Sequence, residues 1–143
     1  KFLACEGGWL PAAHLSEPGK VEGSPADLAE KLVGVPYSWG GRSGDALDCS
    51  GLVQLVFGLK GIKAPRDADM QQAGFGEELG AGEKLQRGDL VFFPGHVGIM
   101  ADETNLIHAN GAAMAVSIEP LADATARFAE HEAPVLARKR VKL

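Results

Sequence analysis

The spacing of apolar residues changes character near residue 88, and that change narrows the folds open to this chain more than any other feature. Before it, apolar residues recur at helical intervals; after it, they form short runs bounded by turn residues. Ser24–Gly34 reads as a helix, with Ser24 as a cap, Pro25 suited to the first position and Gly34 as the stop. A second helix starts at Cys49 and carries Leu52, Val53, Val56 and Leu59 roughly on one face, with Gly61 after it. A third, shorter one starts at Asp67, after Pro65-Arg66. Strands are predicted near 89–94, 97–102, 105–109, 113–119 and 134–142, with a short helix near 121–129 between the last two. Helices first and antiparallel strands after predict an α+β fold, with the N-terminal helices packed on a central antiparallel sheet.

The join between a glycine-rich loop (Trp39-Gly40-Gly41-Arg42-Ser43-Gly44) and the second helix reads Asp48-Cys49-Ser50-Gly51. Asp48 is a good N-cap type. Cys49 is then the first helical residue, facing the positive end of the helix dipole and unpaired backbone N–H groups. Both favour a thiolate, which predicts a lowered pKa and marks Cys49 as a candidate nucleophile. Most lone cysteines are packing residues, so the downstream histidines matter. His96 opens a strand after the Pro94-Gly95 turn, and His108 lies in the next strand. A cysteine on a helix and two histidines on neighbouring strands can supply a nucleophile, its base and an orienter of that base. Asn110, two residues on, shares a face with His108 and could serve as the orienter instead.

The ordered blocks Pro36-Tyr37-Ser38-Trp39-Gly40-Gly41, Asp48 to Gln54, Pro65-Arg66, Gly88 to Phe93, His96-Val97-Gly98-Ile99 and Ile107-His108-Ala109 resemble the NlpC/P60 cysteine peptidases of bacterial cell-wall metabolism. The resemblance covers roughly residues 25 to 142. It implies a papain-like sheet and hydrolysis of peptidoglycan stem peptides at the γ-D-glutamyl–diamino acid bond through a thioester. It also implies Cys49, His96 and His108 as the catalytic set, no metal or cofactor, and the Tyr37 hydroxyl beside the backbone N–H of Cys49 as oxyanion donors. Asp48, Ser50 and Arg66 match positions near the substrate: Asp48 for a peptide ammonium, Arg66 for a carboxylate. The plainer roles, a helix cap for Asp48 and a surface ion pair for Arg66, stay open. Gly8 to Leu15 resembles the last strand and exit turn of the SH3-like domain that often precedes such a domain; an irregular arm is the other reading. Residues 1–23 are thus taken as arm and linker, the linker being 16–23, and 24–143 as the catalytic domain.

Composition trims the alternatives. At 143 residues, 45% hydrophobic and 23% charged, the chain suits one domain. A net charge of −5 argues against a nucleic-acid partner. The one basic cluster, Arg138-Lys139-Arg140 with Lys142, reads as a solvated edge strand. No run approaches the ~18 apolar residues of a membrane span. Two cysteines, Cys5 and Cys49, do not make a disulfide framework, and a bridge between them would consume the nucleophile. No apolar leader precedes Cys5, and the compartment is left open. A monomer is expected. His14 and His131 read as solvated, and Trp39 as packing beneath the loop. Gly51, unfavourable in a helix by about 1 kcal/mol, points to a close approach of a helix, the sheet or substrate. Three rivals remain: a zinc enzyme using Cys49, His96 and His108, a different thiol amidase or acyltransferase on a related fold, and an inactive wall-binding module.

Overall fold

The computed structural model describes residues 1–17 and 19–143. A hairpin of β1 (Phe2–Cys5) and β2 (Gly8–Pro11) opens the chain and, among the described residues, pairs only with itself. A single 3-10 turn, Ala12–His14, follows. The arm is therefore regular rather than irregular, and Phe2, Trp9 and Leu10 on it are exposed. Of the predicted linker, Pro18 lies outside the described residues.

The helices are α1 (Pro25–Glu30), α2 (Cys49–Leu59), α3 (Ala68–Gly74) and α4 (Leu121–Ala129). Ser24 caps α1 through a capping box, its side chain accepting the Asp27 N–H while the Asp27 carboxylate accepts the Ser24 N–H. That helix stops four residues earlier than the sequence predicts. Residues 31–34 form turns, and Gly34, at a φ of +92°, donates its N–H to Val116 of the sheet instead of continuing the helix. Two short strands, β3 (Arg42–Ser43) and β4 (Ala46–Leu47), fold the glycine loop into a small hairpin in front of α2.

The main sheet contains β5 (Glu77–Glu78), β6 (Leu90–Phe93), β7 (His96–Met100), β8 (Asn105–Asn110), β9 (Ala115–Pro120) and β10 (Ala137–Arg140). Its order is β5-β10-β6-β7-β8-β9, with every paired neighbour antiparallel. Leu90 and Phe92 face a core shared with α1 and α2, while Val91 and Phe93 face a second cluster with Ala124 of α4. Helices on both faces explain why β6 is apolar throughout instead of alternating. Leu52, Phe57 and Phe92 are fully buried, each worth about 1.5–3 kcal/mol in removed apolar surface.

The basic strand is not an edge. β10 runs between β5 and β6, and Lys139 is buried opposite Glu78 and Leu90. Arg140 pairs with the buried carboxylate of Asp89 at 2.7 Å. The reason is long-range: the two-residue β5, too short to read from sequence, covers the outer side of β10.

Candidate active site

The loop and α2 meet at Gly51. A Cβ built there would lie 2.2 Å from the Gly41 carbonyl oxygen and 2.8 Å from Asp48 Oδ1, so only glycine lets the backbones approach. Asp48 caps α2 as predicted, accepting the Gly51 N–H at 2.7 Å; its other oxygen accepts the Gly40 N–H at 2.9 Å. Arg66 grips the same carboxylate with both terminal nitrogens, at 3.0 and 2.6 Å, and donates to Ser50 Oγ at 3.0 Å. Burial alone would raise the Asp48 pKa, but Arg66 and the two backbone N–H groups outweigh it and hold it below the ordinary carboxylate range. The two predicted substrate-facing charges are thus each other's partner.

Cys49 sits at the start of α2, as predicted, but its thiol does not behave as predicted. It is 9% exposed, and burial pushes its pKa up; the N–H groups of Val97, Ser50 and Cys49 itself oppose this without reversing it, and the Asp48 charge adds to it. Proximity to the helix N-terminus is the weaker effect here, because the thiol has lost its water. His96, across the Pro94-Gly95 turn, is pushed down to about 3 by burial first, then by His108 and Arg127. Cysteine and histidine are therefore both uncharged at rest.

His96 Nε2 lies 2.7 Å from His108 Nδ1, which brings the two predicted histidines together. A common metal ligand pair would aim both nitrogens at a third point; these aim at each other. Asn110 is engaged elsewhere, donating to Ser117 Oγ at 2.8 Å and accepting from the Ala113 N–H, so His108 rather than Asn110 is the residue that meets His96. His108 is fully buried, and burial lowers its pKa more than its contact with Glu119 raises it.

Cys49 and His96 line one cavity of about 630 Å³ with Tyr37, Trp39, Asp48, Ser50 and Arg66, so all seven predicted site residues converge, His108 doing so from behind His96. Burial first, with the Asp48 charge adding to it, raises the Tyr37 pKa, so its hydroxyl keeps its proton and can donate. Trp39 is 87% exposed at the rim rather than packed below the loop. His14 and His131 are exposed, as predicted.

Two residues of this constellation escaped the sequence reading. Glu119 of β9 lies 2.6 Å from His108 Nε2, and Arg127 of α4 forms an ion pair with Glu119. Glu119 shares a face with Ser117, which sits directly opposite His108 in the β8–β9 register, so it reaches His108 diagonally. Only that register shows the contact.

A family model described as the NlpC/P60 family matches residues 34–131. The chain is 34% identical over 110 residues to dipeptidyl-peptidase 6 of Lysinibacillus sphaericus, covering 77% of this chain and 40% of that protein. It is 37% identical over 103 residues to the gamma-D-glutamyl-L-lysine dipeptidyl-peptidase of Bacillus cereus, covering 66% of this chain and 30% of that protein. It therefore spans less than half the length of these curated relatives. Among solved structures, an NlpC/P60 family protein from Bacillus cereus superposes with a TM-score of 0.77 at 28% identity, covering 97% of this chain and 49% of that one. The peptidoglycan hydrolase RipB of Mycobacterium tuberculosis gives a TM-score of 0.66 at 28% identity, covering 94% of this chain and 69% of that one.

Proposed function

This chain belongs to the NlpC/P60 family, and on that premise we propose that it is a cysteine peptidase that hydrolyses peptidoglycan stem peptides at the γ-D-glutamyl–diamino acid bond. The observation that carries the reading is Cys49 at a helix N-terminus, in one cavity with a His96 that is hydrogen-bonded to His108.

The resting pair is uncharged, so attack and proton transfer go together. The Cys49 sulfur adds to the scissile carbonyl as His96 takes the thiol proton. The oxyanion that forms meets the Cys49 backbone N–H and the Tyr37 hydroxyl; one such donor is typically worth about 2.7–4 kcal/mol. The imidazolium then gives its proton to the amine, which leaves as the C–N bond breaks and a thioester remains. His96 next takes a proton from water as the hydroxide adds to the thioester, and it returns that proton to the departing sulfur. All these groups come from one chain, which suits a monomer.

Three carboxylates (Asp48, Asp67, Asp69) and one guanidinium (Arg66) line the cavity, so its charge is negative. That favours a substrate with a free ammonium. The Asp48 carboxylate already accepts five hydrogen bonds, the longest from Ser50 Oγ at 3.4 Å, against about four lone-pair sites, so an ammonium there must share an oxygen with groups already bound to it. Arg66 keeps N–H groups for a substrate carboxylate. The γ-glutamyl linkage recurs in the names of two relatives, the Bacillus cereus peptidase above and a gamma-DL-glutamyl hydrolase of Bacillus subtilis. This supports a γ-linked bond over an ordinary peptide bond. Mass spectrometry of a defined stem tetrapeptide after incubation tests the reading. A dipeptide ending in D-glutamate is expected with the native protein, and none with Cys49→Ala. Cleavage at another bond, or cleavage by Cys49→Ala, refutes it.

A further inference from the structure

We infer that Glu119 and Arg127 are positioning residues: a carboxylate held by a guanidinium dictates which nitrogen of His108, and through it of His96, carries the proton. This rests on the peptidase reading only for its consequence on turnover; the tautomer assignment stands on the geometry.

The assignment starts at the far end of the chain of contacts. Arg127 Nη1 donates to Glu119 Oε2 at 2.8 Å, and Nη2 donates to Oε1. That contact, more than any other, keeps the Glu119 carboxyl below its ordinary range, so it is ionised and can only accept. His108 Nε2, 2.6 Å from Oε1, must therefore carry its hydrogen. Burial keeps His108 neutral, and a neutral imidazole has a single N–H, so His108 Nδ1 is an acceptor. Among the described residues, the only group at hydrogen-bond distance for it is His96 Nε2, at 2.7 Å, which must then be the N–H of His96. His96 is neutral too, and its one remaining lone pair is at Nδ1, on a ring that lines the same cavity as the Cys49 thiol. Reversing any link would set two donors or two acceptors against each other.

Arg127 does more than hold the carboxylate. Among the charged groups that act on His96, Glu119 favours the imidazolium and Arg127 disfavours it, so the two oppose each other at the base. The remaining faces are aromatic: Phe128, next to Arg127, lies 4.9 Å from the His96 ring and stacks on Phe93 at 4.4 Å. Helix α4 thus closes the back of the site with a ring and brings the guanidinium beside it. A plain structural role, pinning α4 to β9, is the competing account.

Glu119→Gln separates the two. In the variant, Arg127 claims the amide oxygen and the amide NH₂ is turned to His108 Nε2. His108 must then accept there and carry its hydrogen on Nδ1, which pushes the His96 hydrogen onto its own Nδ1 and removes the base from the thiol. The analogous carboxylate-to-amide change in a Ser-His-Asp triad costs about 10⁴ in kcat through the wrong tautomer. With one more ring between carboxylate and base, a loss of at least about 100-fold in kcat is expected here, with KM little changed. Nitrogen-15 NMR of the imidazoles, in a Cys49→Ala background that needs no turnover, should show His96 protonated at Nε2 when Glu119 is present and at Nδ1 in Glu119→Gln. Should Glu119→Gln not fold, Arg127→Gln keeps the acceptor: His96 stays protonated at Nε2, and the acid limb of kcat/KM moves to higher pH because the carboxylate is no longer offset. A lowered Tm with unchanged tautomers and an unmoved acid limb would leave only the structural pin and overturn the inference. If native protein fails to cleave any stem peptide while the tautomers behave as described, the peptidase reading falls and this one stands.

Discussion

Replacing either glycine of α2 by alanine makes the same change of helix propensity, yet the two should move stability in opposite directions. Gly58 is exposed, and nothing lies within 4 Å of the Cβ it would gain. Gly58→Ala should therefore realise most of the propensity difference, a gain of up to about 1 kcal/mol. At Gly51 the new Cβ would be 2.2 Å from the Gly41 oxygen, where anything under 3.0 Å forces movement, so the loop must retreat by about 0.8 Å. That oxygen accepts the Asp48 N–H, and Asp48 in turn holds Gly51 and Arg66, so the shift spreads through the cap. Overpacking typically costs about 1–3 kcal/mol and a weakened cap about 1 more. Set against a gain of about 1, Gly51→Ala should be destabilised by about 1–3 kcal/mol. Urea unfolding followed by circular dichroism, with both variants and the native chain side by side, measures this. Peptide turnover should fall in Gly51→Ala, because Cys49 is carried on the displaced turn, and hold in Gly58→Ala. A Gly51→Ala protein as stable as the native chain, or two variants shifting in the same direction, would refute the close-approach argument.

Cys49 should react with iodoacetamide at pH 7 no faster than a free-thiol peptide, its rate climbing only in alkali, because burial holds the thiol protonated; faster labelling than the peptide at pH 6 would reveal a standing thiolate. His96→Ala should lose nearly all turnover and His108→Ala less, since the first moves protons and the second orients; equal losses in steady-state assays would reverse that ranking. Both histidines have lowered folded-state pKa values, His96 at about 3, against about 6.5 unfolded. Below about pH 6.5 the unfolded chain gains protons that the folded one refuses, so stability is full above that pH and falls as pH drops, by up to about 1.4 kcal/mol per unit for His96, with His108 adding in the same direction. Tm measured from pH 7 to 5 should decline, and more shallowly in His108→Gln; a flat native profile would show that the rings accept protons in place.

Much of this protein is legible locally. Ser24 and Asp48 cap helices because a side-chain oxygen can reach a backbone N–H three residues on, a geometry set within one turn of chain. The Pro94-Gly95 turn, with Gly95 at a φ of +66°, sets β6 and β7 side by side and so places His96. The ordered blocks around Tyr37, Cys49, Arg66, His96 and His108 identified the family without any coordinates. What the sequence could not carry depends on groups far apart in it. The Cys49 thiol is charged or neutral according to how much water the assembled sheet leaves it, and burial outweighs the helix N-terminus that sequence does show. Asp48 and Arg66 each look free for substrate until the chain brings them within 2.6 Å. Arg140 looks solvated until β5 and Asp89 enclose it. Glu119 meets His108 only in one strand register, and a slip of one residue would turn it to the other face. Caps, turns and periodicity are written in neighbouring residues because their energies act over a single turn. Desolvation and strand register are sums over the whole packed molecule, and only the tertiary structure decides them.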